Sequence, residues 1–454
     1  MPSVPVVAEV AAARSLTAHA VTVGCCLVVY ALTLRHVFEH LIVPTFGYLG
    51  YSYVPGPPAV SVLAVVAAAA VAASLPRRVE RPSHAVTWIV FGVAVVPTML
   101  TPHYSGYLDT RTALTLTLVV GALWAAVGWT VRRPLPSTPL VPPLTPGALG
   151  VVLGAFSAAT YGLMAVTTGL RLRVPSLDSI YDVRDEFRDA MADAGPLGYL
   201  LSPQSYVVNP YLVVRGVATR SPWLVAAGAL GQVLIFSATG FKMVLFSTPL
   251  ILVGALVLLR LDRLRAAGFA VAPVAVLVGA TAADAAQGGD TWTSVLSRRF
   301  LVTPGTLSAA FVEHYSTAPP ALLAHSVLGP WTGGHGRLPP SLEVGDQLLP
   351  GSGLAANANL VADGFSNFGW AGVVGAVAVL AVYLRFLDRC SAGLPVPVTA
   401  VLVVMPSIVL SQTALLTSML THGVFAAAVL LAVAPRTGWS PPTGWSPRRA
   451  GGPR

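Results

Sequence analysis

Lysine is almost missing from this sequence: Lys242 is the one example, and the remaining strongly basic side chains are all arginine. Charge of either sign is scarce, at 10% of 454 residues, where a soluble chain of this length carries about a quarter. With 55% of residues hydrophobic, that scarcity excludes a soluble globular protein and defines an integral membrane protein. The three cysteines make no disulfide framework. Cys25 and Cys26 adjoin inside an apolar run and Cys390 stands far off, so they read as small packing residues. Also missing are Asp-x-Asp, HExxH, Cys-x-x-Cys, a P-loop and a GxGxxG context, which disfavours metal-dependent chemistry on a nucleotide sugar at the cytoplasmic side. No metal and no cofactor is expected. The net charge of +9 comes without a basic aromatic surface or binding motif, so it is read through topology and membrane lipids, not through nucleic acid.

What the chain does have is long apolar runs. A hydrocarbon core of ~30 Å takes roughly 17–25 apolar residues as a helix. Twelve runs qualify, at about 17–34, 58–75, 86–101, 112–131, 147–169, 197–214, 222–240, 243–260, 266–283, 368–385, 394–411 and 421–435. The expected organisation is helices one to five over 1–169, a first outward loop over 170–196 and helices six to nine over 197–283. A large outward loop then fills 284–367, helices ten to twelve fill 368–436, and a disordered tail fills 437–454. The first run reads as a span, because only Arg14 precedes it and no small-residue cleavage site follows. With the N-terminus cytoplasmic, every inner loop receives arginine: Arg77, Arg78 and Arg81; Arg132 and Arg133; Arg215 and Arg220; Arg260, Arg263 and Arg265; Arg385 and Arg389; and the tail from Arg436. The positive-inside rule is thus met throughout, with both termini cytoplasmic. Pro203, Gln204, Asn209 and Pro210 interrupt the sixth run, as expected of a broken helix lining a polar cavity. The spacing over 179–194 predicts an amphipathic helix on the outer surface. The tail repeats Thr-Gly-Trp-Ser-Pro at 437–441 and 443–447 and reads as disordered.

Polar chemistry concentrates in the outward segments, above all from Arg298 to Trp370. Ionisable groups at membrane depth are expensive and usually functional. Arg184 and Arg188 sit among Asp182, Asp185, Glu186 and Asp189, so a solvated, salt-bridged helix competes with phosphate binding. Arg298 and Arg299 have no acidic neighbour closer in sequence than Asp290, which favours an anionic ligand. Lys242, in Thr239-Gly240-Phe241-Lys242, is either an interfacial lysine or a cation offered to a diphosphate. His314 beside Glu313, and His325 beside Ser326, are candidates for a general base or for sugar contacts. Asn357, Asn359, Asp363 and Asn367 offer amides and a carboxylate suited to hydroxyl-rich ligands, with helix capping as the competing use. Gly333 to Gly336 and Pro339-Pro340 would permit hinge motion of a lid.

Taken in order, Tyr181-x-x-Arg184-x-x-Phe187-Arg188, Asn209-Pro210, Thr239-Gly240-x-Lys242, Ser297-Arg298-Arg299-Phe300 through Pro304-Gly305, and Asn357-x-Asn359 through Asp363-Gly364-x-x-Asn367-Phe368-Gly369 form a recognisable set. Over roughly 180–375 this set resembles the O-antigen polymerase (Wzy-like) family, which also shows an Arg-x10-Gly pattern that Arg184 to Gly195 fits. The resemblance implies an all-α polytopic membrane protein of about twelve transmembrane helices. It would be a GT-C-like, metal-independent glycosyltransferase of the bacterial cytoplasmic membrane, with its active site facing outward. Donor and acceptor would both be polyprenyl-diphosphate-linked oligosaccharides, and the partners membrane lipids, a flippase and a chain-length regulator. Arg184, Arg188, Lys242, Arg298 and Arg299 would hold the diphosphate. His314 would be the acceptor's general base, with Glu313, Glu186 and Asp363 as rivals; Asn357, Asn359, Asn367 and His325 would hold sugar. A ligase of the same superfamily is the nearest alternative. A transporter comes third, because the spans are mostly Ala, Val, Leu and Gly.

Overall fold

The computed structural model describes residues 4–136, 138–169, 180–191, 195–261, 263–326, 328–332, 338–357 and 359–439, with no side-chain description for 4–16 and Tyr181. Part of the first outward segment (170–179), the Gly333–Gly336 hinge and the tail from Ser440 lie outside the described residues. Helix dominates, and the described residues contain one sheet of two short strands. Among the described residues, eight helices are long and apolar enough to cross a membrane: Thr17–Leu49, Pro82–His103, Thr110–Arg132, Pro146–Thr167, Pro222–Thr239, Ala266–Gln287, Leu360–Cys390 and Leu415–Val433. Helices Pro58–Ser74 and Lys242–Leu258 are apolar but shorter. The other two expected runs fall on interrupted helix, at Leu197–Pro203 with Asn209–Thr219 and at Val396–Leu402 with Val404–Leu410. Large apolar side chains stand open on the helix exteriors, such as Val151, Val166 and Val382, where only lipid gives them an apolar neighbour. The chain is a multi-pass membrane protein.

The polar side chains that interrupt the sixth run, Gln204 and Asn209, are buried. A π-turn over Gln204–Val208 joins its two helices, and its polar side chains bond to one another. Gln204 Nε2 donates to Ser157 Oγ (3.0 Å) and Asn209 Oδ1 (2.8 Å). Asn209 Nδ2 donates to Gln232 Oε1 (3.2 Å), and Gln232 Nε2 to the Ser205 carbonyl (2.7 Å) and Ser247 Oγ (2.6 Å). The widened turn frees a carbonyl, and Gln232 from the neighbouring span satisfies it, so these amides fasten helices together.

The 284–367 segment, expected as a loop, is a helical layer set into the body. Helix Thr303–Thr317 buries every residue from Pro304 to Val312. A Cβ on Gly305 would collide with the Pro97 carbonyl, so the Pro304-Gly305 pair marks close backbone packing. Helix Leu360–Cys390 is not continuous, because Phe368 (φ −145°, ψ 25°) and Gly369 (φ 58°, ψ −145°) leave helical geometry. A Cβ on Gly364 would come within 2.7 Å of the Gly372 carbonyl oxygen, whereas eight residues of unbroken helix rise about 12 Å. The chain therefore folds back, with 360–367 as a short arm lying against 370–390, and the positive φ at Gly369, open to glycine at little cost, makes the reversal possible.

At one end of the bundle the arginine-bearing connections meet. Arg132 Nη2 donates to the Leu75 carbonyl (2.5 Å), Arg81 Nη1 to that of Arg133 (2.8 Å) and Arg389 Nη1 to that of Pro136 (2.9 Å). Arg436 caps four carbonyls, those of Leu431, Ala432, Ala434 and Cys390. Apart from that of Pro136, which lies in a connection, these carbonyls belong to helix C-termini, where the helix dipole favours a cation.

Candidate functional site

The opposite end carries the site. Helix Ile180–Met191 buries Ile180 and Phe187 and leaves Asp182, Arg184, Asp185, Glu186, Arg188 and Asp189 exposed, the amphipathic division expected from its sequence. It rests on the turn before Lys242. Phe187 meets the Phe241 ring edge-on (5.6 Å), and the Arg184 guanidinium lies 5.5 Å from the same ring. Gly240 has φ 62°, and a Cβ there would approach the Ile180 carbonyl oxygen to 2.9 Å; the turn and the close helix both require glycine. Lys242, half-buried, opens the next helix one residue later.

Arg298 and Arg299 are presented by a ten-residue π-helix, Thr293–Val302, a length well beyond the single π-turns usual inside α-helices. Both ends are fastened. The buried Asp284 carboxylate accepts from Trp292 N (2.8 Å) and Thr293 N (2.6 Å). At the far end Thr303 Oγ1 donates to the Arg298 carbonyl (2.8 Å) and shares a hydrogen bond with the Tyr51 hydroxyl (3.0 Å). Arg298 stacks on Phe46 at 4.0 Å, and its Nε is buried without a hydrogen-bond partner.

Arg299 is exposed yet ringed by protein. Burial, then the nearby charges of Arg184 and Arg298, push its pKa below the usual arginine range, with Tyr51 and Tyr206 acting in the opposite direction. The fold has thus brought Arg184 near Arg299, more than a hundred residues away in sequence, with Arg298 also near Arg299. Among the described residues none of the three makes an ion pair. Arg184 and Arg298 lie on aromatic rings and both repel Arg299, and three such cations without an ion-pair partner make a site that an anion stabilises.

The other candidates divide. Arg188 is paired with Asp185 at 3.0 Å on the exposed surface and is not part of the trio. Glu313 accepts from Gln347 (3.0 Å) and lies close enough to Tyr107 to help raise that phenol's pKa, after burial and Tyr51. Tyr51 in turn neighbours Arg299, so Glu313 is the candidate base linked to the arginine side. His314 is half-buried with its ring edge-on to Tyr315 at 4.7 Å. The Tyr315 hydroxyl donates to Glu343 (2.6 Å), and His325 lies near that carboxylate. Glu186 is exposed on the helix of Arg184.

The asparagines read as sugar ligands are mostly occupied within the fold. Asn359 is fully buried: its Oδ1 accepts from Val361 N (2.9 Å) at the start of the short arm, and its Nδ2 donates to the Pro304 carbonyl (3.1 Å) and Ser308 Oγ (3.0 Å). Asn367 accepts from Leu323 N (2.8 Å) and donates to Asp363 Oδ1 (3.1 Å), so both it and Asp363 serve the reversal. Of the set, Asn357 is exposed.

Sequence reasoning did not single out Phe46, Tyr51, Tyr107, Tyr206 or Asp284. The cluster Phe46, Tyr48, Tyr51 and Tyr53 after the first span was the available signal. No family model, no curated protein and no solved structure matches this chain.

Proposed function

We propose that this chain is a glycosyltransferase of the bacterial cytoplasmic membrane that polymerises polyprenyl-diphosphate-linked oligosaccharides on the outer face. The reading rests on the sequence resemblance to O-antigen polymerases. The observation that carries it is the convergence of Arg184, Arg298 and Arg299, free of carboxylate partners among the described residues, at the end of the bundle away from the arginine-rich face. By the positive-inside rule the arginine-rich face is cytoplasmic, which puts the trio outside. An acceptor sugar hydroxyl attacks the donor's anomeric carbon as the bond from that carbon to the diphosphate oxygen breaks. The polyprenyl diphosphate leaves with the electron pair. Its developing charge is met by the trio, with Lys242 one residue beyond the Phe241 platform, and Glu313 takes the acceptor proton. Asn357 is the exposed amide left for sugar.

Replacing Arg298 or Arg299 with alanine should lower polymer formation by about 10²–10³-fold while the protein remains in the membrane at wild-type level, since each removes a charge aimed at the leaving group. Measuring polymer by gel and protein by immunoblot decides it, and normal chain length in both variants would remove the trio from the mechanism.

A further inference from the structure

A second arginine group, at the other end of the molecule, has a geometry that asks for an anion of its own. Strands β1 (Arg78–Val79) and β2 (Leu264–Arg265) pair antiparallel, with Arg78 directly opposite Arg265 and Val79 opposite Leu264. Val79 and Leu264 are 3% and 4% exposed, so the apolar pair pins the strands into the body, and both arginines are exposed. Ala266 N donates to the Arg77 carbonyl (3.1 Å), and His84 Nδ1 lies 3.0 Å from that of Arg78, so the backbone is held on both sides. Like charges directly opposed across a strand pair repel. Here they cannot separate by moving the strands. Arg77, Arg260 and Arg263 are exposed beside them, and none of the five arginines makes an ion pair among the described residues. Glu80 is the nearby acidic side chain on β1's side, and Asp262 lies outside the described residues.

The position of the sheet identifies the source of the anion. β1 joins the end of Pro58–Ser74 to the start of Pro82–His103, and β2 joins the end of Lys242–Leu258 to the start of Ala266–Gln287. The sheet therefore lies where spans leave the hydrocarbon, at headgroup level, and the exposed Leu261 beside it offers an apolar edge. We propose that Arg78 and Arg265, supported by Arg77 and Arg263, form a headgroup site for an anionic phospholipid, the phosphate bridging the two opposed guanidinium groups. The fork of each guanidinium suits phosphate oxygens, and the acyl chains continue into the bilayer alongside the spans.

The test is native mass spectrometry of the full-length protein in mild detergent, titrated with phosphatidylglycerol and, separately, with phosphatidylcholine. Wild type should retain phosphatidylglycerol in preference, and the double variant Arg78→Gln/Arg265→Gln should bind it roughly tenfold more weakly or worse. Arg78→Lys/Arg265→Lys, which keeps the charge, should retain most of the binding, and all three proteins should elute as one monodisperse species. Millimolar inorganic phosphate should leave the lipid in place. Equal retention by wild type and the glutamine variant, no preference between the two lipids, or displacement by free phosphate would each overturn the assignment.

Discussion

Asn359 shows how one residue type serves two unlike ends. In sequence, Asn357-x-Asn359 before an apolar run suits a sugar as well as it suits a helix cap. In the fold, Asn359 is the cap, and its amide also ties the short arm to helix Thr303–Thr317. Removing it leaves buried partners unsatisfied, so Asn359→Ala should destabilise by about 1–3 kcal/mol, against roughly ±0.5 kcal/mol for the exposed Asn357→Ala. Thermal unfolding in detergent separates them, and indistinguishable midpoints would contradict the burial argument. Arg298 and Arg299 stood out for an equally local reason: they have no nearby carboxylate in sequence, whereas Arg184 and Arg188 have several, and in the fold Arg188 uses Asp185. Tyr51 was not legible, because an aromatic cluster after a span looks like the ordinary belt of rings at a membrane surface.

Among elements, the long apolar helices could be read from the apolar runs, while the helices within 284–367 and the internal geometry of helices could not. The 3.6-residue period carries no mark of a π-turn. What sets Thr293–Val302 apart is tertiary: the Asp284 carboxylate at one end and the Tyr51–Thr303 pair at the other. The reversal at Phe368–Gly369 was hidden inside a run that read as the start of the tenth span. Its physical requirement is the contact between Gly364 and Gly372, which only side-chain-free residues allow. Gly372→Val should therefore prevent folding of this region, giving aggregated protein on fluorescence size-exclusion chromatography, while valine at Gly375, which has open space around it, should behave as wild type. A monodisperse Gly372→Val protein with an unchanged melting temperature would rule out the folded-back hairpin.

Across the whole molecule, two arginine populations occupy opposite ends and are used differently. Those at one end cap helix carbonyls, pair with the buried Asp388 through Arg81 (3.9 Å), or oppose one another across the small sheet. At the other end Arg184 and Arg298 lie on aromatic rings near Arg299, with no ion pair to any of the three among the described residues, while Arg188 pairs with Asp185. The alternation of arginine along the sequence made this two-ended arrangement legible, since each run returns the chain to the opposite side. Among the described residues, eight of the twelve expected runs form helices long and apolar enough to span; two are short and two interrupted, since short and broken helices still read as apolar runs. The central claim is that the end carrying Arg184, Arg298 and Arg299 binds a lipid-linked diphosphate and joins its glycans. The direct measurement mixes the purified full-length protein with extracted lipid-linked oligosaccharide and resolves the products by size. The account predicts a ladder of repeat units with release of polyprenyl diphosphate, and no ladder from the Arg298→Ala protein. A single transferred glycan would point to a ligase, and substrate left unchanged by protein that is folded and monodisperse would contradict the account.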